Sequence, residues 1–113
     1  MLNFEGKTVL ITGASRGIGQ AVAIAFASAG ALIAAHFNQQ QKLAEQVRAS
    51  LPGLGHITVQ ADIADPVSID QMVTQTIAAL GHIDILVNNA GLYQEHPLDT
   101  TSYLDCKRLG NRL

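Results

Sequence analysis

Thr-Val-Leu-Ile-Thr-Gly-Ala-Ser-Arg-Gly-Ile-Gly, residues 8–19, is an apolar, β-branched run that ends in a turn carrying Gly13, Gly17 and Gly19 and passes at once into an apolar-periodic segment. The pattern is strand, turn, helix. Glycine enters positive-φ conformations freely and lets the backbone approach an anion without a Cβ in the way, while the helix behind the turn aims its free N–H groups and positive dipole end at the same place. The turn therefore predicts a nucleotide ligand, with a purely structural reversal as the plainer alternative. Three glycines between a strand and a helix are more than a reversal needs. Their spacing, G-x-x-x-G-x-G, differs from the G-x-G-x-x-G of the common dinucleotide fingerprint, but the physics of the turn is the same.

Outward from this turn, strand and helix signals alternate. Lys7 to Thr12 reads as the first strand, apolar through its centre and so buried on both faces. From Gly17 to Ala29, the residues Ile18, Ala21, Val22, Ala25, Phe26 and Ala29 recur at three and four positions, which predicts one packed helical face capped by Gly30. Ala31 to Phe37 reads as the second strand, Gln39 to Leu51 as a helix stopped by Pro52 and Gly53, and His56 to Ala61 as the third strand. Asp65 before Pro66 predicts an N-cap with proline at the first helical position. Ile69, Met72, Val73, Thr76, Ile77 and Leu80 then supply the core face of a third helix up to Gly81. Ile83 to Val87 reads as the fourth strand.

Four strands alternating with three helices predict an α/β protein with a doubly wound parallel sheet and flanking helices. Right-handed crossovers place the first three strands in the order 3-2-1, and the fourth crosses to the far side of the first, giving 3-2-1-4. Ligands of such sheets bind where the order reverses, above the carboxyl ends of the strands. The glycine turn and the segment Asn88 to Gly91 both fall at that point.

The chain has 113 residues, 48% apolar and 14% charged, the composition of one tightly packed globular domain. No apolar run approaches the length of a membrane span, and the amino terminus lacks the layout of a signal peptide, so the expected setting is cytoplasmic. The single cysteine, Cys106, permits no internal disulfide and stands without ligand partners at metal-site spacing. The net charge of −2 conceals an asymmetry, because Lys107, Arg108 and Arg112 fall in the last eight positions. Residues 1–105 carry four basic against nine acidic groups. A weakly acidic body argues against nucleic acid as a partner, since phosphate neutralisation needs clustered Lys and Arg.

Thr12 to Gly19 (T-G-A-S-R-G-I-G), Asp62 in A-D-I-A-D-P, and Asn88 to Gly91 (N-N-A-G) after I-D-I-L-V resemble, in order, three motifs of the short-chain dehydrogenase/reductase family. Within it, the nearest likeness is to the acyl-carrier-protein reductase branch. The resemblance runs from about Asn3 to about Asp99 and implies a partial Rossmann fold, the cofactor-binding half of such an enzyme, truncated after the fourth strand. It implies that the backbone of Gly13, Ala14, Ser15, Arg16, Gly17 and Ile18, with Gly19 behind it, cradles the phosphates of a nicotinamide dinucleotide. It further implies that Asp62 and the Ile63 backbone meet the adenine, and that Asn89, with Ala90 and Gly91, faces the nicotinamide ribose. The plainer roles are a turn or N-cap for Asp62 and turn formation for the asparagines.

Cofactor preference depends on the end of the second strand. NAD-preferring sites place a carboxylate there, whereas this stretch is Ala34-Ala35-His36-Phe37-Asn38. Arg16 and Asn38, with His36 as a further candidate, could hold a 2′-phosphate, so NADP is expected over NAD. The family's catalytic Tyr-x-x-x-Lys pair belongs on a later helix, preceded by a strand bearing a Ser. Tyr103 and Lys107 have the spacing, but they come twelve residues after Gly91 with no such strand between, so they read as a coincidence. Residues 106–113 lack the expected apolar face and read as a non-homologous tail to an incomplete dinucleotide-binding domain of residues 1–105. The expectation is an oxidoreductase of small carbonyl or alcohol substrates at the family level, homo-oligomeric when full-length and inactive in this form. A non-catalytic nucleotide-binding module or a non-functional fragment are the alternatives.

Overall fold

The computed structural model describes residues 3–15 and 17–89. The elements run β1 (Thr8–Ile11), α1 (Gly17–Ser28), β2 (Leu32–Phe37), α2 (Gln41–Ser50), β3 (Ile57–Gln60), α3 (Pro66–Leu80) and β4 (Ile85–Val87). All strand pairs are parallel and the sheet order is β3-β2-β1-β4. The expected order thus holds, with Leu10 level with Ala34 on one side and Leu86 on the other. The sheet has helices on both faces, as in a Rossmann fold. Among the described residues, no helix is long and apolar enough to cross a membrane.

Every residue of β1 is inaccessible to solvent, as a fully apolar central strand requires. Its side chains alternate between two cores. Val9 and Ile11 join Ala23, Ala27, Ile33, Ala35, Val47 and Leu51 beneath α1 and α2. Leu10 joins Ala34, Val59, Ala61, Ile69, Met72 and Val73 beneath α3. The start of α3 follows its expected chemistry. The Asp65 carboxylate accepts the Val67 N–H at 3.0 Å, and Pro66 occupies the first turn.

Two expectations are corrected. The packed face of α1 is not the one carrying Ile18, Ala21 and Ala25. Gly19, Ala23 and Ala27 are the buried residues, Val22 and Phe26 are partly buried, and Ile18 is 55% exposed. Nearly every residue of α1 is apolar or small, so periodicity alone does not distinguish its faces. Close approach to the sheet selects the stripe with the smallest side chains. The second correction concerns β4, which begins at Ile85 rather than Ile83. Asp84 takes the ladder position before it. Its N–H donates to the Thr8 carbonyl at 2.9 Å and its carboxylate accepts the Thr8 N–H at 2.8 Å.

Candidate functional site

The glycine turn, Asn38, Asp62 and the two asparagines lie at the carboxyl ends of β1, β2, β3 and β4 in turn, along one edge of the sheet. The strand order reverses between β1 and β4, the point at which ligands of such sheets bind. Gly13 and Gly17 have φ values of +62° and +64°, which side chains rarely allow. The turn is pinned on both flanks. On the β2 side, Gly13 N–H donates to His36 Nδ1 at 2.9 Å and Ala14 N–H to the His36 carbonyl at 3.0 Å. On the β4 side, Asn89 Nδ2 donates to the Gly13 carbonyl at 2.9 Å. Thr12 adds a further tie, its N–H donating to the Val87 carbonyl at 3.0 Å and its hydroxyl lying 3.2 Å from Asn88 Oδ1.

Gly19 is buried where α1 crosses the turn. A Cβ there would meet the Gly13 carbonyl oxygen, Asn89 Nδ2 at 2.5 Å and the Ala14 Cα at 3.0 Å. The third glycine therefore serves close packing of helix against turn, not a positive φ. Ala14 is buried, Ser15 is half-buried, and Gly17 and Ile18 are exposed at the start of α1. No acidic residue stands in the first turn of α1, so its positive end is uncompensated there. The arrangement fits an anion lying across the turn.

Asp62 is exposed, with its carboxylate accepting the Ala64 N–H at 3.0 Å and its own N–H donating to Ser68 Oγ at 2.8 Å. It therefore fills the local turn role and remains on the rim of the site. Ile63 packs partly into the core under α3. Asn38 is exposed, and its carbonyl accepts from Gln60 Nε2 at 3.0 Å. Asn89 is 1% exposed, and its Oδ1 accepts no hydrogen bond among the described residues. Arg16, Ala90, Gly91, the Tyr103 and Lys107 pair and the tail from Cys106 lie outside the described residues.

His36 is corrected as a phosphate ligand. Its side chain is buried, with Nδ1 accepting from Gly13 and Nε2 donating to the Ala61 carbonyl at 2.8 Å, so neither nitrogen is left for a ribose phosphate. The sequence signal was a polar residue inside an apolar strand, and it pointed inward. Burial lowers the ring's pKa, against a smaller opposing effect of the Ala61 carbonyl. The unfolded chain therefore takes up this proton first as pH falls. The contribution of His36 to stability is complete above the ordinary histidine value of about 6.5 and is lost below it, at up to about 1.4 kcal/mol per pH unit. The thermal midpoint should fall between about pH 7 and about pH 5.5, and less steeply in His36→Asn. Equal slopes in the two proteins would show that the ring protonates as freely folded as unfolded.

The family model for short chain dehydrogenases matches residues 7–110. The chain is 40% identical over 94 residues to L-rhamnose 1-dehydrogenase (NAD(P)(+)) of Sphingomonas sp. (strain SKA58), covering 81% of this chain and 37% of that protein. It is 40% identical over 100 residues to 3-oxoacyl-(acyl-carrier-protein) reductase FabG of Escherichia coli (strain K12), covering 86% of this chain and 39% of that protein. Among solved structures, a short chain dehydrogenase from Burkholderia cenocepacia J2315 in complex with NADP aligns with a TM-score of 0.75 at 39% identity, covering 91% of this chain and 45% of that one. The chain spans about two fifths of the length of these curated relatives.

Proposed function

The chain belongs to the short chain dehydrogenase family of oxidoreductases, and on that premise we propose that it holds NADP across the carboxyl ends of its strands. The pyrophosphate lies on the backbone of Gly13 to Gly19. The adenine sits at Asp62 and Ile63, the 2′-phosphate at Arg16 and Asn38, and the nicotinamide ribose against Asn89, Ala90 and Gly91. The observation that carries this reading is the turn between β1 and α1, with Gly13 and Gly17 at positive φ and no acid in the helix's first turn. NADP in the Burkholderia structure supports the choice of cofactor. So does the exposed end of β2, where Asn38 stands and no carboxylate would repel a 2′-phosphate.

When bound, the nicotinamide supplies hydride transfer to or from a carbon of a small carbonyl or alcohol. The residues of this chain bind and orient. Asn89 and His36 keep the turn in place, and the helix end and Arg16 neutralise phosphate charge. The reading carries with it a cytoplasmic setting and self-association of the whole protein.

Calorimetric titration with NADPH and NADH tests it. NADPH is expected to bind more tightly, and Arg16→Ala should narrow the difference by about 1.5–3 kcal/mol, the worth of one charged hydrogen bond. NADH affinity should hardly change. Equal affinities for the two cofactors in the parent chain would overturn the assignment.

A further inference from the structure

We propose that His36 is a positioning residue that locks the phosphate turn and the adenine-side loop into one frame through a neutral imidazole carrying its proton on Nε2. The inference rests on the dinucleotide reading for its functional meaning and on geometry for its substance. Gly13 opens the turn, and Ala61 immediately precedes Asp62. One ring joins them, through Gly13 N–H to Nδ1 at 2.9 Å and Nε2 to the Ala61 carbonyl at 2.8 Å. The main chain of β2 reinforces both ends, since the His36 carbonyl accepts from Ala14 at 3.0 Å and the Phe37 carbonyl from Ala61 at 3.1 Å. Both loops therefore reach β2 at the same place.

Only one protonation state serves this geometry. Nδ1 must present a lone pair to Gly13 N–H, and Nε2 must carry the hydrogen given to Ala61. A proton on Nδ1 would set donor against donor and release the turn. The surroundings oppose that proton. Among the described residues, β1, β3, β4 and α1 carry no titratable side chain. Lys42, Glu45 and Arg48 lie on α2, while Asp62, Asp65 and Asp70 lie on α3 and the loop before it. Burial lowers the ring's pKa, against a smaller opposing effect of the Ala61 carbonyl.

The β1–β2 ladder does not need the ring, because its register from Thr8 to Ile11 is set by backbone pairing. What the ring adds lies beyond the strand ends. It fixes the first amide of the turn and the residue before Asp62, whose spacing determines whether pyrophosphate and adenine are met together.

Two amide variants separate the two ring nitrogens in the full chain. His36→Asn places an acceptor near the Nδ1 position and keeps the Gly13 bond, whereas His36→Gln places a donor near the Nε2 position and keeps the Ala61 bond. The first readout needs no ligand and is hydrogen exchange of the Gly13 amide in ¹H–¹⁵N spectra. It should be protected in the parent and in His36→Asn, and exchange about fivefold to tenfold faster in His36→Gln, the worth of one hydrogen bond. The second is the ring's own ¹⁵N pattern in the parent, which should show a protonated Nε2 and a bare Nδ1. The third is calorimetric titration with NADP, with affinity lowered in both variants, because each gives up one of the two ties. A freely exchanging Gly13 amide in the parent, or a ring protonated on Nδ1, overturns the proposal even if neither variant folds. An NADP affinity equal to the parent's in either folded variant overturns it as well. Should the parent bind no NADP while Gly13 protection still depends on His36 as stated, the dinucleotide reading fails and the lock on the turn stands.

Discussion

Gly19→Ala should lower the thermal midpoint by roughly 10 °C and remove measurable dinucleotide binding. The added methyl would be directed at the Gly13 carbonyl oxygen, Asn89 Nδ2 and the Ala14 Cα. Two of those three atoms are backbone and cannot rotate away, so overpacking should reach the upper end of its usual range, about 3 kcal/mol. Alanine recovers about 1 kcal/mol relative to glycine in a helix interior, which leaves a net loss of about 2 kcal/mol. At about 4–8 °C per kcal/mol for a domain of this size, that is the stated shift. Binding suffers separately, because α1 relieves the clash only by moving away from the turn or by breaking the Asn89–Gly13 hydrogen bond. Gln20→Ala, one residue along and half-buried, should change the midpoint little. A Gly19→Ala protein as stable as the parent would mean that the helix does not press on the turn as described.

The 113-residue chain on its own should show no turnover of NADPH with any carbonyl substrate, even where it binds the cofactor. The hydride comes from the nicotinamide, but the carbonyl oxygen must receive a proton from a positioned acid, a contribution of about 10²–10⁴ in rate, and substrate positioning supplies more. The resemblance places that acid on a later helix behind a fifth strand. The chain matches only about two fifths of the length of its curated relatives. Tyr103 and Lys107 have the catalytic spacing but come only twelve residues after Gly91. Tyr103→Phe is therefore expected to leave the background rate as it is. Turnover in the parent that disappears in Tyr103→Phe would make that pair the catalytic one.

The chain's local chemistry determined most of the framework. An unbroken apolar run at β1, small turn residues at each strand end and Asp65 ahead of Pro66 are choices made over a few neighbouring positions, and together with crossover handedness they lead to the order 3-2-1-4. The position of the candidate site followed, because glycines at positive φ are a local demand. Tertiary structure alone decided which stripe of α1 meets the sheet, since a helix apolar on nearly every side can present any of them. It also decided that β4 starts after Asp84, whose carboxylate satisfies the Thr8 N–H. The largest difference is at His36 and Asn89. Gly13 lies 23 residues from the first and 76 from the second, and no pattern along the chain records that both side chains close on that one residue, His36 on its N–H and Asn89 on its carbonyl. Hydrophobic spacing tells a residue which way to face, whereas the partner of a buried donor or acceptor is chosen only when the sheet has assembled and water has been excluded from around it.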